Sequence, residues 1–183
     1  MNTGWAELLI RNEKRSIIAI DGRAAAGKST LAQLLQDRYQ AAVIHMDDFY
    51  LPMEMRTSER YQQAGGNVHY ERFNKEVAES LRQGGSFRYQ RFNCAKMALD
   101  AWVEVPNVPL IVVEGAYALH PQIELDYAMK IFMDVVPTVQ QERIRKRNGE
   151  ERLEQFLTKW IPYEERYFEE YKIKEQCDLL IRG

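Results

Sequence analysis

Cysteine is scarce in this sequence: Cys94 and Cys177 are the two in 183 residues, far apart and without metal-ligand spacing. They exclude a disulfide-stapled scaffold and read as the reduced, near-core thiols of an intracellular protein. Long apolar runs are missing as well. No stretch approaches the roughly 18 apolar residues that a bilayer crossing needs. The start, Met1-Asn-Thr-Gly-Trp-Ala-Glu-Leu-Leu-Ile, lacks a basic region followed by an apolar stretch and a cleavage site. No membrane partner is expected, and the cytoplasm is the expected location. Positive charge is not in excess either. A formal net charge of −2 argues against a broad nucleic-acid footprint, while leaving room for a local basic cleft. Internal repeats, low-complexity tracts and Pro- or Ser-rich linkers are absent, so residues 1–183 read as one domain.

What is present is the balance of a soluble globular chain, 45% hydrophobic and 28% charged. A short amphipathic helix is expected over 5–14. Ser16–Asp21 is an Ile-rich apolar run closed by Gly22, the mark of a buried parallel strand. Helical spacing follows over 28–39, with Leu31, Leu34 and Leu35 on one side. Further strands are predicted at Ala41–His45, Leu110–Val113, Lys130–Asp134 and Asp178–Ile181, and helices at 70–83, 138–147 and 151–175. Alternating strands and helices predict a doubly wound α/β fold, a five-stranded parallel sheet with helices on both faces. Functional side chains then belong at the C-terminal strand ends, where Gly22, Asp47, Glu114 and Asp134 fall.

Gly22-Arg-Ala-Ala-Ala-Gly27-Lys28-Ser29 fits G-x-x-x-x-G-K-[ST] at every fixed position. The glycines let the backbone curl so that N–H groups converge on phosphate oxygens, and the following helix adds its positive end. The expected phosphate cradle is Gly22, Arg23, Ala24, Ala25, Ala26, Gly27, Lys28, Ser29 and Thr30. Lys28 supplies charge to the β- and γ-phosphates, and the Ser29 hydroxyl can ligate Mg²⁺. The expected cofactors are ATP and Mg²⁺.

A P-loop alone fits a GTPase switch, a motor or a kinase. No Asn/Thr-Lys-x-Asp guanine-reading motif is present. His45-Met-Asp47-Asp48-Phe-Tyr50 instead puts a carboxylate at the end of the second strand, where a kinase needs one to orient a hydroxyl and take its proton. Glu114 ends the third strand, where a carboxylate can hold a Mg²⁺ water, whereas Asp134 reads as a structural cap.

The stretches Ile20-Asp-Gly-Arg-Ala-Ala-Ala-Gly-Lys-Ser-Thr, Met46-Asp-Asp-Phe-Tyr-Leu-Pro, Gly65-Gly-Asn-Val, Glu114-Gly-Ala-Tyr-Ala-Leu-His-Pro and Arg143-Ile-Arg-Lys-Arg-Asn-Gly resemble the uridine kinase and phosphoribulokinase family of P-loop kinases. The likeness is strongest to short bacterial uridine kinase-like proteins. It implies Asp47 as catalytic base and metal neighbour, Ser29 and Glu114 as metal-holding groups, and Tyr50 at the substrate wall. Arg143 and Arg147, four apart on one helix face, are implied as arginines of a helical lid spanning about 138–165.

An insertion over about 52–105 is too long for a simple crossover and is expected to bind the acceptor, a small molecule. Its aromatic and polar residues include His69, Tyr89, Arg91 and Phe92. Where relatives carry an aspartate that grips a ribose diol, this chain has His69. Together with Arg91, that favours an anionic or differently hydroxylated acceptor. The reading is therefore a uridine kinase-like transfer to a nucleoside or related hydroxyl. A pantothenate-like or sugar-phosphate acceptor, or a non-catalytic nucleotide switch, remains as an alternative. A homo-oligomer is compatible with the sequence.

Overall fold

The computed structural model describes residues 3–10 and 15–183. The expected first helix is present as α1 (Gly4–Ile10), and residues 11–14 of that expectation lie outside the described residues. In chain order follow β1 (Ser16–Gly22), α2 (Lys28–Tyr39), β2 (Ala42–His45) and the short helix α3 (Ser58–Gln62). α4 (Tyr70–Phe73) continues through a π turn, Asn74–Ala78, into α5 (Glu79–Gln83). The antiparallel hairpin of β3 (Phe87–Asn93) and β4 (Ala98–Val105) comes next, then β5 (Leu110–Glu114), β6 (Met129–Asp134) and α6 (Pro137–Asn148). α7 (Glu150–Gln155) runs through a second π turn, Phe156–Trp160, into α8 (Ile161–Glu170), and β7 (Leu179–Arg182) closes the sheet.

The five strands of the main sheet are all parallel, in the order β2-β5-β1-β6-β7. Both faces are covered, which explains why β1 and β5 read as unbroken apolar runs rather than alternating ones. The strand period of two divides them. Ala19, Ile111, Val113 and Phe132 face one core with Val77, Tyr167 and Phe168, while Ile18, Ile20, Val112, Ile131 and Met133 face another with Leu31 and Leu35. A small third cluster, Ala24, Ile144 and Leu153, ties the region expected to form the lid to the loop after β1.

The hairpin was not predicted. Its pairing register shifts between Gln90 and Phe92, so the apolar alternation that would mark a strand is broken midway. The helix predicted over 151–175 ends at Glu170, and its last two turns carry the buried Tyr167 and Phe168 into the main core. Among the described residues no helix is long and apolar enough to cross a membrane.

Candidate active site

At the C-terminal end of β1 the chain must leave the sheet and enter α2. The fully buried Asp21 carboxylate fixes that exit. Its Oδ1 accepts from the Gly22 (2.6 Å) and Tyr117 (3.2 Å) amides, its Oδ2 from the Leu119 amide (3.0 Å) and the Tyr167 hydroxyl (2.8 Å). Burial raises the Asp21 pKa in spite of these bonds. Gly22 then adopts φ +129°, and a Cβ there would lie 2.1 Å from the Met133 carbonyl oxygen, so a side chain has no room. Gly27 (φ 98°) is the N-cap of α2, and no side chain caps the helix. The first-turn amides are thus left for another acceptor, at the positive end of the helix dipole.

Six of the nine expected cradle residues, Ala24, Ala25, Gly27, Lys28, Ser29 and Thr30, line a cavity of about 290 Å³. Lys28 Nζ curls back over the loop onto the carbonyls of Gly22 (2.7 Å) and Arg23 (2.9 Å). Gly22, Arg23 and Ala26 do not line the cavity, and their groups are engaged within the fold. The Arg23 amide donates to Met133 O (3.1 Å) and the Ala26 amide to Arg23 O (3.2 Å). The Arg23 guanidinium pairs with Asp134 (2.8 Å) and Glu165, and Lys174 joins the same aspartate (2.7 Å). Asp134 is the structural residue expected from sequence, and its two cations hold its carboxyl below the usual range against the effect of burial.

The opposite wall comes from the ends of β2 and β5 and from α6. Asp47 is exposed to the cavity and its Oδ1 accepts from the Tyr50 hydroxyl (2.9 Å). Its neighbour Asp48 turns the other way, buried, with Oδ2 accepting from the buried Tyr89 hydroxyl (2.8 Å). Ser29 Oγ lies 3.2 Å from both oxygens of the buried Glu114, and His45 Nδ1 lies 2.5 Å from Glu114 Oε1. That bond raises the His45 pKa, against its partial burial. Arg143 and Arg147 reach the same cavity, Arg143 Nη1 donating to Ala25 O (3.2 Å).

These residues suit the groups that the loop motif implies. An uncapped helix start, a lysine and two arginines form a wall whose positive charge suits phosphate oxygens. Ser29, Glu114 and Asp47 supply hard oxygen donors for Mg²⁺. Among the described residues no three His, Cys, Asp or Glu side chains make a metal cage by themselves. Mg²⁺ keeps waters and phosphate oxygens in its shell and takes only one or two carboxylates from a protein.

A larger cavity, about 760 Å³, adjoins the first and shares Asp47, Tyr50, Arg147, Phe156 and Glu164 with it. Of the five expected acceptor residues, Tyr50 lines it and four do not. Tyr89 is fully buried, its ring 5.0 Å from that of Phe49. Phe92 is buried too. Arg91 is exposed on β3, outside both cavities. His69 is the N-cap of α4, its Nδ1 accepting from the Arg72 amide (3.3 Å) beside Glu71 (3.1 Å), so it does the local work of a capping side chain. Burial lowers its pKa.

Arg56, Asn67 and Glu164 are among the residues of the larger cavity to which the sequence reading gives no role. Arg56 and Asn67 come from the insertion. Glu164 comes from α8, is 6% exposed, and accepts from the Ala24 amide (2.9 Å). Burial pushes its carboxyl up to about 7, with Lys28 and the Ala24 amide pulling the other way. The available signal was a carboxylate at i+3 between Ile161 and Phe168, on the apolar stripe of its helix.

A parallel α/β sheet that delivers a phosphate loop and two carboxylates to adjoining cavities defines a P-loop NTPase domain. A family model for the phosphoribulokinase / uridine kinase family matches residues 17–156, and the chain belongs to that family. Its activity class is accordingly that of a P-loop small-molecule kinase. Among solved structures, a possible uridine kinase from Bacillus stearothermophilus superposes with a TM-score of 0.72 at 17% identity, over 97% of this chain and 94% of that one. D-glycerate 3-kinase from Cryptococcus neoformans gives 0.58 at 13% identity, over 87% and 84%. Phosphoribulokinase from Rhodobacter spheroides gives 0.56 at 18%, over 92% and 70%. These likenesses establish the fold. No curated protein matches the chain in sequence.

Proposed function

We propose that the protein transfers the γ-phosphoryl group of Mg-ATP to a hydroxyl of a small acceptor held in the larger cavity, with Asp47 as the base. The observation that carries this reading is the position of Asp47 on the wall common to both cavities, while Asp48 is withdrawn into the core. Tyr50 holds Asp47 Oδ1, which leaves Oδ2 to receive the acceptor's proton. Asp47 takes that proton as the acceptor oxygen bonds to phosphorus and the β–γ bridging bond breaks, releasing ADP. Lys28 and the first-turn amides of α2 hold the phosphates, and Arg143 and Arg147 compensate charge on the transferred group from the lid. Ser29 and Glu114 would hold Mg²⁺, which when bound screens the charge between the phosphates, and Asp47 is left to the acceptor.

The test is acceptor-stimulated ADP release, measured by a coupled assay over nucleosides, vitamins and sugar phosphates. Asp47→Asn is expected to keep Mg-ATP affinity and lose about 10²-fold or more in kcat, the usual worth of a positioned base. Near-normal turnover in that variant would remove Asp47 from the chemistry. ADP release that no acceptor stimulates would point to a nucleotide switch.

A further inference from the structure

The larger cavity has a polarity of its own, with its anionic side chains confined to one end. Both of its carboxylates, Asp47 and Glu164, lie on the wall shared with the smaller cavity. The unshared wall carries two arginines, Arg56 and Arg152, and no carboxylate.

Arg56 is half-buried and fixed by its own backbone. Its amide donates to Met53 O (3.1 Å) and its Nε to Leu51 O (2.9 Å). Among the described residues its two Nη groups have no hydrogen-bond or ion-pair partner. Arg60, four residues on in α3, is the contrast: its guanidinium is bound by Glu71 (2.7 Å), Gly66 O, Val68 O and the Tyr70 hydroxyl. Arg60 ties the insertion together, whereas the fork of Arg56 faces the cavity without a counter-charge. A second observation comes from Asn67, 4% exposed on the same wall. Neither end of its side-chain amide makes a hydrogen bond of normal geometry, with the Tyr117 hydroxyl beside it but outside that geometry. A buried amide in this condition marks a place where a polar ligand group belongs.

Resting on the kinase reading above, we infer that the acceptor is an alcohol bearing an anionic group, a carboxylate or a phosphate. Its anion seats on Arg56, its middle hydrogen-bonds Asn67, and its free hydroxyl meets Asp47. A planar, permanently charged guanidinium offers two parallel N–H bonds to such an anion. A neutral base-and-sugar acceptor would leave it desolvated and unpaired, which is unfavourable. The anionic acceptor favoured from His69 and Arg91 is thus placed on other residues, since neither of those reaches the cavity.

Matched acceptor pairs differing in the anion test this: glycerate against glycerol, pantothenate against pantothenyl alcohol, and ribose 5-phosphate against ribose, with uridine as the neutral nucleoside. In the coupled ADP assay the charged member of at least one pair is expected to show about tenfold to hundredfold higher kcat/KM, the worth of a charge-assisted contact. The carboxylate and phosphate pairs separate the two sources of the anion. Arg56→Gln is expected to abolish that preference through the acceptor KM, with the KM for ATP moving less than twofold. A readout independent of turnover comes from Trp160, which lines the cavity. With a non-hydrolysable ATP analogue saturating the loop, titration with malonate or inorganic phosphate should change tryptophan fluorescence saturably in the wild type and not in Arg56→Gln. Preference for uridine or the neutral members, or equal loss on both members of a pair in Arg56→Gln, overturns the anionic assignment. So does the absence of saturable binding by both anions. ADP release that no acceptor stimulates, with anion binding intact, refutes the kinase reading instead.

Discussion

Glu164→Gln isolates one charge while preserving its bond, because the amide oxygen of glutamine can still accept from the Ala24 N–H. The carboxyl is 6% exposed and titrates at about 7 rather than 4.5. Over that interval, at about 1.4 kcal/mol per pH unit, holding the ionised form in the fold costs about 3 kcal/mol. The sign follows from proton counting: between the two values the native state keeps a proton that the unfolded chain has lost. The stabilisation linked to this group is full below pH 4.5, declines through the interval and is gone above about pH 7. Near-complete burial means that solvent screening removes little of it. The glutamine variant has no such loss. Urea melts at pH 5 and pH 8 should find the two proteins close together at the lower pH. At the higher pH the variant should be more stable by about 3 kcal/mol, or roughly 6–12 °C in Tm. Since every other group is common to both proteins, the difference reports Glu164. Parallel stability curves for the two proteins from pH 5 to pH 8 would refute the reasoning and mean that the site admits enough water to ionise the group freely.

Lys28→Ala should weaken Mg-ATP binding by about tenfold or more and nearly abolish transfer, since the phosphates lose their cation in a partly enclosed site; unchanged calorimetric affinity and rate would contradict the cradle. Gly22→Ala should destabilise the fold by more than about 3 kcal/mol, read from denaturant melts, because φ +129° is strained for alanine and the new Cβ meets backbone of β6 that cannot move alone.

The parts of this fold that are legible in sequence are those decided locally. β1 and β5 are buried on both faces, so their apolar runs need no partner to be recognised, and the glycines and lysine of the loop stand at fixed spacing. Asp47 and Asp48 are adjacent and chemically alike in sequence. What separates them is the 3₁₀ turn Met46–Phe49, which points one at the cavities and the other at Tyr89. Tyr89 and Phe92 were expected to touch the acceptor because aromatic residues suit both a pocket and a core, and the hairpin register decided for the core. Glu164 lies 140 residues from its partner Ala24, a pairing that only the folded sheet creates.

The π turn at Phe156–Trp160 bears on how this enzyme can change length over evolution. Such a turn holds one more residue than an α-helical turn, and here Phe156 and Trp160 at its two ends both line the larger cavity. A deletion of a single residue within it would let the helix close as ordinary α-helix, and four residues of α-helix turn through about the angle of five in a π turn. The segment downstream would keep its rotation relative to α7, with Glu164 still on the Ala24 amide and Tyr167 still on Asp21. What would change is the spacing of Phe156 and Trp160 on the cavity wall. Descendants of this sequence can lose a residue from that turn and keep the fold, and the wall of the larger cavity alone registers the loss.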